Sequence, residues 1–492
     1  MNNLLVLVMV LPVLAGILLI FFRNKLYFQR WLSFGVMLAN AGIGVYLLNR
    51  MQREGILRLD FGGWKPPFGI LFVADSFSML LVVTTSIVAA VCLLYAFYSI
   101  GEKREKLFFY PFVNFLVAGV NGSFLTGDLF NLYVNFEIML LASYVLIAFG
   151  SSRTQLKESI KYVVINVVSS FFFLIGIAYL YGAVGTLNMA HISSRVAEVG
   201  QTPILTVIGM MFLLVFALKS GLLLYYWLPG SYSAPPTAIA ALFSALLTKV
   251  GIYAMFRIFT LIFYHETVIT HQFIGIMAGL TMIGGSIGAV AYKDVRLIAS
   301  YNVVIAVGFI LVGLSVATPA ALEGSVYYLI HDMIVKALLF LVIGTMITLT
   351  GSNKINQMSG LIRNYPGLGW IFFIVLLSLA GVPPLSGFIG KLLVGQGAIE
   401  GDSYVLLSLA FISSIFVLYS LLRIFLNCFW GESTINIDEK KTIRIGWLVP
   451  CIILMIGTIA LGICAESLSV YVKDAANTLL HPDIYVDAVL ND

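Results

Sequence analysis

At least five ionisable side chains lie inside long apolar segments of this sequence, where charge is costly. They are Glu137, Lys219, Lys249, Lys336 and Lys391. A charged group at the centre of a membrane helix costs roughly 2.5–3.5 kcal/mol on insertion scales, so such groups persist only where something offsets that cost. In membrane helices they usually pair with one another and mark ion or proton pathways. The pattern therefore predicts proton transfer through the interior of the protein.

The chemistry of these residue types suits a proton pathway. Transfer out of water lowers the pKa of an amine and raises that of a carboxylic acid, and a nearby opposite charge reverses both changes. A row of such groups can therefore pass a proton on through small rearrangements. His331 precedes Lys336 by five residues and points about 140° away from it on a helix, which suits a relay group facing another neighbour. A simple packing role stays open for His331.

Two structural explanations compete with function for these charges. Cations near a helix end can extend to the membrane interface, and this is an open alternative for Lys219. The cations for which it is the expected behaviour are Lys161, Arg257 and Arg423. Lys249 and Lys336 lie about twelve residues from either end of their segments, too deep for this. The second explanation is an ion pair that only fixes helix packing; it applies to Asp332 and Lys336, which share a helical face.

Glu137 has no basic residue at helical spacing and needs a partner on another helix. A tight sodium site is not apparent from the sequence. Asp128 and Asp332 are possible sodium ligands, although helix capping is the expected role of Asp128.

Two apolar segments are interrupted by residues that cannot continue a helix. The interrupting residues are Pro229, Pro235 and Pro236 in the first segment, and Gly381, Pro383 and Pro384 in the second. Freed backbone at membrane depth is tolerated only where it is buried in protein or lines a wet cavity. Lys219 precedes the first break and Lys391 follows the second, so the pair of breaks predicts a transport site. For the first break, a turn in which the two adjacent prolines open the next helix stays open.

Membrane helices must position these groups. Hydrophobic residues make up 60% of the 492 residues and charged residues 10%, whereas a soluble domain carries about 25% charged residues. About fourteen apolar segments have the length needed to cross a bilayer. They lie near 3–22, 31–49, 74–99, 107–125, 127–149, 160–182, 203–228, 237–263, 272–291, 298–316, 325–349, 369–398, 404–428 and 446–465. The sequence thus predicts an all-α integral membrane protein, and the first segment is expected to be a span, not a removable signal.

The basic residues predict an orientation, because Lys and Arg accumulate in short cytoplasmic loops. An N-terminus on the outside of the cell membrane fits best. The basic residues then assigned to the inside are Arg23, Lys25, Arg30, Lys103, Arg104, Lys106, Arg153, Lys157, Lys293, Arg296, Lys354, Arg363, Lys440, Lys441 and Arg444. This bias accounts for the net charge of +5 without a nucleic-acid partner.

Metal and cofactor chemistry is not indicated. The four cysteines have no CxxC spacing, which argues against an iron–sulfur cluster, a zinc site or a disulfide framework. The sequence also has no HExxH grouping and no Walker loop. No metal and no cofactor are therefore expected, and the driving energy must come from an ion gradient or a partner.

Four stretches, taken in order, resemble the proton-translocating antiporter-like subunits shared by respiratory complex I, membrane-bound hydrogenases and Mrp-type multisubunit sodium/proton antiporters. They are VNFEIMLLASYVLI, ALKSGLLLYYWLPGSYSAPPTAIAALFSALLTKVGIYAMFR, HDMIVKALLFLVIG and AGVPPLSGFIGK. Within this family the chain is most similar to the D subunits of Mrp antiporters, in its length, in the segment FVADSFSMLLVVTTSIVAAVCLLYAFYSI and in lacking a long extra C-terminal helix.

The resemblance implies a fold of fourteen transmembrane helices with two inverted five-helix repeats, each containing one discontinuous helix. The implied parts are residues 1–106 with helices 1–3, residues 107–263 as the first repeat with helices 4–8, residues 272–428 as the second repeat with helices 9–13, and residues 446–492 with the last helix and a short tail. The number of segments and the two breaks agree with that architecture.

The resemblance also implies roles for particular residues. Protons would pass along Glu137, Lys219, Lys249, His331, Lys336 and Lys391. Glu137 and Lys219 would form a gating couple, and Lys249 would be the central relay. His331 and Lys336 would continue the path, and Lys391 would face the far exit. Some complex I members have glutamate at that exit, so lysine favours an antiporter.

The function implied is that of one component of a secondary antiporter and not of an enzyme. It would exchange a cation, sodium, for protons in the cell membrane, together with other membrane subunits. The alternative is the proton-pumping membrane subunit of an oxidoreductase of the complex I or membrane-bound hydrogenase type. A scaffold without transport activity is a third possibility. The ion exchanged and its stoichiometry cannot be read from the sequence.

Overall fold

The computed structural model describes residues 3–200, 202–432 and 442–491; Lys440 and Lys441, used above for orientation, lie outside them. The described chain is built mainly of helices, with one two-stranded antiparallel sheet. The helices are α1 (Leu4–Phe21), α2 (Leu26–Glu54), α3 (Ser76–Ser99), α4 (Glu102–Glu105), α5 (Phe109–Leu125), α6 (Leu129–Ile147), α7 (Arg153–Val184), α8 (Met189–Val199), α9 (Pro203–Ser220), α10 (Leu228–Ser233), α11 (Thr237–Leu261), α12 (Thr267–Ala291), α13 (Val295–Val316), α14 (Pro319–Thr350), α15 (Leu361–Asn364), α16 (Pro366–Ala380), α17 (Ser386–Glu400), α18 (Tyr404–Phe429), α19 (Ile445–Ile463), α20 (Ala465–Leu480) and α21 (Pro482–Leu490). The strands are β1 (Leu57–Asp60) and β2 (Leu71–Ala74), and 3-10 turns lie at Phe61–Gly63 and Ile355–Gln357.

The all-helical membrane class is confirmed. Within the described ranges, 12 helices are long and apolar enough to cross a bilayer. Two shorter apolar helices, α5 and α16, occupy the fourth and twelfth predicted segments. They have 17 and 15 residues, and at about 1.5 Å per residue both are shorter than a hydrocarbon core of roughly 30 Å. The count of fourteen crossings therefore stays a prediction.

Both predicted interruptions are breaks between helices. Helix α9 is followed by Gly221 and α16 by Gly381, each in a left-handed backbone conformation with φ of +78° and +85°. This conformation favours glycine because it has no Cβ. After the first break, Pro236 immediately precedes α11, so the adjacent prolines do open the next helix, as the alternative interpretation had it.

Another proline, Pro12, shapes the packing of the N-terminal helices. Pro12 lies inside α1 and has no N–H to offer the carbonyl one turn earlier. That carbonyl, of Val8, accepts instead from the amide nitrogens of Asn40 in α2 and Asn121 in α5, each at 2.9 Å. The three helices are thereby joined at one buried point.

Two pairs of loops are joined by equivalent backbone hydrogen bonds. The first pair is joined by Leu129 N to Leu187 O and Met189 N to Gly127 O, and the second by Val295 N to Asn353 O and Ile355 N to Lys293 O, all at 2.9 Å. Each pair connects the start of one helix with the end of the next. Asp128 and Asp294 cap the helices that begin there, α6 and α13, which confirms the capping role expected of Asp128.

The end of the chain differs from the expected short tail. It forms two helices, α20 and α21, that pack on the body of the protein because Val472, Ala475 and Leu479 are buried. The Arg58 guanidinium donates to the carbonyl of Val489 at 2.7 Å. The sequence did not reveal this docking because α20 is amphipathic, and its apolar residues are interspersed with polar ones along the chain.

Candidate functional site

The centre of the site is Asp332 on α14, whose carboxylate lies between two lysines. Its Oδ2 is 2.7 Å from Nζ of Lys249 on α11, and its Oδ1 is 3.5 Å from Nζ of Lys336 on α14. All three side chains are at most 1% exposed. Lys249 also donates to the carbonyl of Ser244 at 2.7 Å. One carboxylate therefore serves two ammonium groups in an interior without solvent contact.

This triad can shift charge without a large movement. A carboxylate stabilises the protonated form of whichever amine it contacts, and in a low-dielectric interior that attraction is strong. If Lys249 loses its proton, Asp332 becomes the counter-ion of Lys336 alone. The arrangement thus couples the protonation of a lysine on α11 to that of a lysine on α14.

His331 extends the site to the second break. Its Nδ1 lies 2.7 Å from Oγ of Ser386, the first residue of α17. Its Nε2 is buried and has no hydrogen-bond partner within the described chain. His331 therefore faces α17 while the adjacent Asp332 faces α11, as its angular offset from Lys336 predicted. A neutral imidazole can accept a proton at one nitrogen and release one at the other.

Lys391 forms hydrogen bonds with the helix end at the second break. Its Nζ donates to the carbonyls of Leu379 at 2.9 Å and Ala380 at 3.0 Å, which lie at the last turn of α16. These carbonyls have no partner inside their own helix, and a cation there also complements the negative end of the helix dipole. Lys391 is half-buried. Its two hydrogen bonds stabilise the break, and its amine is also a titratable group.

Lys219 and Glu137 are not in direct contact. Lys219 is 4% exposed, donates to Oγ of Ser170 on α7 at 3.1 Å, and lies 4.9 Å from the ring centroid of Phe136. No ion pair joins Lys219 to Glu137 in the described chain. The resemblance implied that Glu137 and Lys219 form a couple. In the structure, the Lys219 ammonium group lies instead over the ring of Phe136, the residue before Glu137.

A small cavity adjoins Lys219. It is lined by Phe136, Met139, Leu140, Tyr162, Asn166, Lys219, Trp227 and Leu247, and its volume of about 10 Å³ is that of a single water site. The Trp227 indole N–H donates to the carbonyl of Leu218 at 3.1 Å. At the first break, the Trp227 indole thus pairs a carbonyl at the end of α9. At the second break, Lys391 has the same role at the end of α16.

Three cations expected at the interface have specific partners. Arg257 is 3% exposed and its Nη2 lies 2.6 Å from Oδ2 of Asp75, the residue that caps α3. The interfacial interpretation was therefore wrong for Arg257, because a buried carboxylate on another helix supplies its counter-charge. Lys161 pairs with Glu158 at 3.0 Å, and Arg423 donates to a carbonyl of α12 at 2.6 Å.

The structure thus joins Lys249 to Lys336 and places His331 next to that pair, while Lys219, Glu137 and Lys391 stand apart from it. Sequence reasoning noted Asp332 only as a packing partner or sodium ligand and missed its contact with Lys249. No sequence spacing signals that contact, since 83 residues separate the two.

In the part of the chain that the structure describes, no cluster of three or more His, Cys, Asp or Glu could hold a metal ion.

Comparison with known proteins gives consistent relatives. Residues 126–417 match the family described as NADH:quinone oxidoreductase/Mrp antiporter, transmembrane. The chain is 50% identical to the D subunit of the Na(+)/H(+) antiporter of Bacillus subtilis (strain 168), over 100% of both chains. It is 46% identical to the protein of the same name from Alkalihalophilus pseudofirmus, again over 100% of both.

Solved structures share the fold. A chain of the Mrp complex from Dietzia sp. DQ12-45-1b has a TM-score of 0.93, 29% identity and coverage of 100% of both chains. A chain of the membrane-bound sulfane sulfur reductase, an archaeal respiratory membrane complex, has a TM-score of 0.91, 25% identity and coverage of 99% of both. Respiratory complex I from Thermus thermophilus has a chain with a TM-score of 0.84 and 22% identity, covering 97% of this chain and 99% of that one, which shows the fold alone.

Proposed function

Because this chain belongs to the NADH:quinone oxidoreductase/Mrp antiporter membrane family, as a D-type subunit, we propose that it translocates protons within a multisubunit sodium/proton antiporter. It works as part of a transporter beside other membrane subunits, not as an enzyme. The observation that carries the mechanism is Asp332, shared between Lys249 and Lys336 in a fully buried triad.

The triad is the central exchange point of the pathway. A proton that reaches Lys249 from the side of Lys219 is stabilised there by Asp332. When Lys249 is neutral, the carboxylate is free to stabilise a proton on Lys336. The short path from one lysine to the other through a single carboxylate keeps the excess charge paired throughout the transfer, which limits the cost of carrying it through an apolar interior.

The remaining residues extend the pathway in both directions. Lys219 feeds the triad from the first break, and the negative charge of Glu137 stabilises the protonated form of Lys219 without a direct bond between them. His331 carries the pathway through its hydrogen bond with Ser386 towards α17. Lys391 then forms the exit, where releasing a proton weakens its hold on the end of α16. Movement at the second break is thereby tied to proton release.

The chain divides into two inverted repeats, with three transmembrane helices before them and one, α19, after them; the short helices α20 and α21 follow α19. We assign them to residues 107–263 and 272–428, with residues 1–106 and 446–492 outside. The equivalent loop bridges at Leu129–Leu187 and Val295–Asn353 support this division. So does the position of each break, in the fourth long helix of its half.

The protein lies in the cell membrane with its N-terminus outside. The support for this orientation is the concentration of Lys and Arg in alternate loops. Sodium is the proposed exchanged cation, by likeness to the relatives named as parts of Na(+)/H(+) antiporters.

The alternative, a proton-pumping subunit of an oxidoreductase, rests on the structural likeness to a respiratory complex. Two observations favour the antiporter: the full-length identity of 50% and lysine at the exit position, Lys391. Purification of the native complex separates the two, because an oxidoreductase would bring quinone or iron–sulfur subunits and an antiporter would bring only membrane subunits.

Sodium/proton exchange in inverted vesicles containing the whole complex tests the function. Lys219→Ala and Glu137→Ala are each expected to abolish or strongly reduce exchange while the complex still assembles. Lys161→Ala is the matched control, because Lys161 is one-third exposed and pairs within its own helix. Normal exchange in assembled complexes of both site variants would contradict the pathway and support the scaffold without transport activity.

A further inference from the structure

The proposed proton pathway begins at Lys219, and a row of buried polar side chains on α7 leads to that lysine. Tyr162, Asn166 and Ser170 recur at every fourth residue, so they follow one another along one side of the helix. All three are buried. The row ends at Ser170, whose Oγ accepts a hydrogen bond from Lys219 Nζ at 3.1 Å. Buried polar groups need partners, and these groups lie beside the first residue of the pathway.

The cavity beside Lys219 has room for a single water molecule. Tyr162, Asn166 and Lys219 all line it, and its volume is about 10 Å³. A buried water typically makes about three hydrogen bonds to the polar groups around it. The hydroxyl, the amide and the ammonium group of these three side chains supply that number. The cavity therefore has both the size and the polar groups that a bound water requires.

The hydrogen bonds of Tyr162 leave its oxygen able to accept. Oγ of Ser143 on α6 donates to the carbonyl of Leu140 at 2.7 Å, which uses the only hydrogen of that hydroxyl. Tyr162, whose hydroxyl lies 2.9 Å from Ser143 Oγ, is therefore the donor in the bond between them. Its oxygen keeps lone pairs that can accept from a water molecule. A line of hydroxyls, water and amine can thus run from Ser143 to Lys219.

Aromatic neighbours hold Tyr162 at the first break. Its ring centroid is 5.4 Å from that of Trp227 and 5.7 Å from that of Tyr144. Trp227 in turn bonds the end of α9 through its indole. The hydroxyl of Tyr144 is buried and has no hydrogen-bond partner in the part of the chain that the structure describes. Tyr162 is thus fixed beside the break, and its neighbour carries an unpaired hydroxyl that water can also satisfy.

We propose that the cavity binds one water molecule between Tyr162, Asn166 and Lys219, and that Tyr162 and this water deliver the proton to Lys219. The proposal rests on the proton translocation proposed above and adds the route by which a proton enters at the first break. Ser143 receives the proton from a hydronium ion at the end of α6, which is four residues away at Ile147.

The transfer leaves no charge on the oxygens once it is complete. With Lys219 neutral, Ser143 gives its hydroxyl proton to the Tyr162 oxygen, Tyr162 gives its own to the water, and the water gives one to the lysine nitrogen. Ser143 takes the proton of the hydronium ion, so each of these oxygens ends with as many hydrogens as it had, and only the amine gains one. Rotation of the two hydroxyls then restores the starting arrangement.

The bound water is tested in a cryo-EM map of the whole complex, at a resolution that shows other buried waters. We expect density within hydrogen-bond distance of both Lys219 Nζ and the Tyr162 hydroxyl in the wild type, and none at this position in Tyr162→Phe or Asn166→Leu. A wild-type cavity without this density overturns the proposal. Normal exchange in Lys219→Ala would instead reject the proposed function and with it the delivery step, and the map would still decide the water site because it needs no transport.

The delivery step is tested by sodium/proton exchange in inverted vesicles, normalised to the amount of assembled complex. Tyr162→Phe removes one oxygen and keeps the ring. It is expected to lower the maximal rate about tenfold or more, since a positioned proton-transfer group typically contributes at least that much. Asn166→Leu removes a second partner of the water and is expected to lower the rate as well. The KM for sodium is expected to stay unchanged in both, because only proton delivery is altered.

Tyr95→Phe is the matched control. Tyr95 is as deeply buried as Tyr162, and its hydroxyl also bonds a hydroxyl on another helix, that of Thr345 at 3.0 Å, but it lies outside the pathway. It is expected to keep the wild-type rate per assembled complex. The delivery step is overturned if Tyr162→Phe keeps the wild-type rate, or if both tyrosine variants slow exchange to the same extent.

Discussion

Replacement of Asp332 by asparagine removes the only carboxylate in contact with Lys249 and Lys336 in the described chain. The substitution keeps the size of the side chain and deletes its charge. Two ammonium groups then share a dry interior without their counter-ion. We expect at least one of them to lose its proton permanently, which breaks the proton pathway at its centre.

The magnitude follows from the geometry. At an effective dielectric constant of about 20, unit charges 2.7 Å apart attract by about 6 kcal/mol. Desolvation offsets part of this, and removing one partner of a buried ion pair costs about 3–5 kcal/mol in practice. If about 2.7 kcal/mol of that imbalance appears in the barrier to proton transfer, the exchange rate falls roughly a hundredfold.

The assay is sodium/proton exchange in inverted vesicles, normalised to the amount of assembled complex. Asp75→Asn is the matched control. Asp75 is as deeply buried and bonds Arg257 at 2.6 Å, but it lies outside the pathway. It is expected to reduce assembly while leaving the rate per assembled complex unchanged. The reasoning is refuted if Asp332→Asn assembles and exchanges at the wild-type rate, or if the two variants lose the same activity per complex.

Two further predictions concern α17. Lys391→Met removes both hydrogen bonds to the end of α16, so it should lower the melting temperature of the complex and abolish exchange. Lys391→Arg keeps the charge and donors, and should restore the melting temperature; equal losses in both variants would contradict the capping role. Gly397→Ala drives a methyl group into the backbone nitrogen of Ala321 on α14, and overpacking of this kind costs about 1–3 kcal/mol. Gly367→Ala, which meets nothing within 4 Å, is its control, and similar melting temperatures for the two would count against tight α14–α17 packing.

The burial of the charged groups could be predicted from sequence because local context decides it. Lys249 and Lys336 lie near the middle of long segments that are mostly apolar, about twelve residues from either end, so their side chains cannot reach water along the helix. The breaks were equally readable, since Gly and Pro act on their own backbone. Arg257 shows the limit of this reasoning. Its distance from the helix end suggested the interface, yet a carboxylate 182 residues away holds it inside.

The pairing of the charges could not be predicted, because contacts between helices depend on how the helices pack. The i, i+4 spacing of Asp332 and Lys336 was visible, but the shorter bond of Asp332 goes to Lys249 on α11. Glu137 and Lys219 were expected to pair, and the structure instead sets Lys219 over Phe136. One residue of offset around a helix, about 100°, separates those two outcomes.

The sequence by itself determined that this chain spans a membrane, that it keeps amines and carboxylates in its interior, and that two of its helices are broken beside lysines. These properties follow from composition and local backbone chemistry, which need no knowledge of neighbours. Only the tertiary structure decided that Asp332 joins the lysines of two helices, that Lys391 hydrogen-bonds the end of α16, and that two buried asparagines share the carbonyl of Val8. Such properties depend on distances of a few ångströms between distant parts of the chain, because ion pairs and hydrogen bonds act over no greater range.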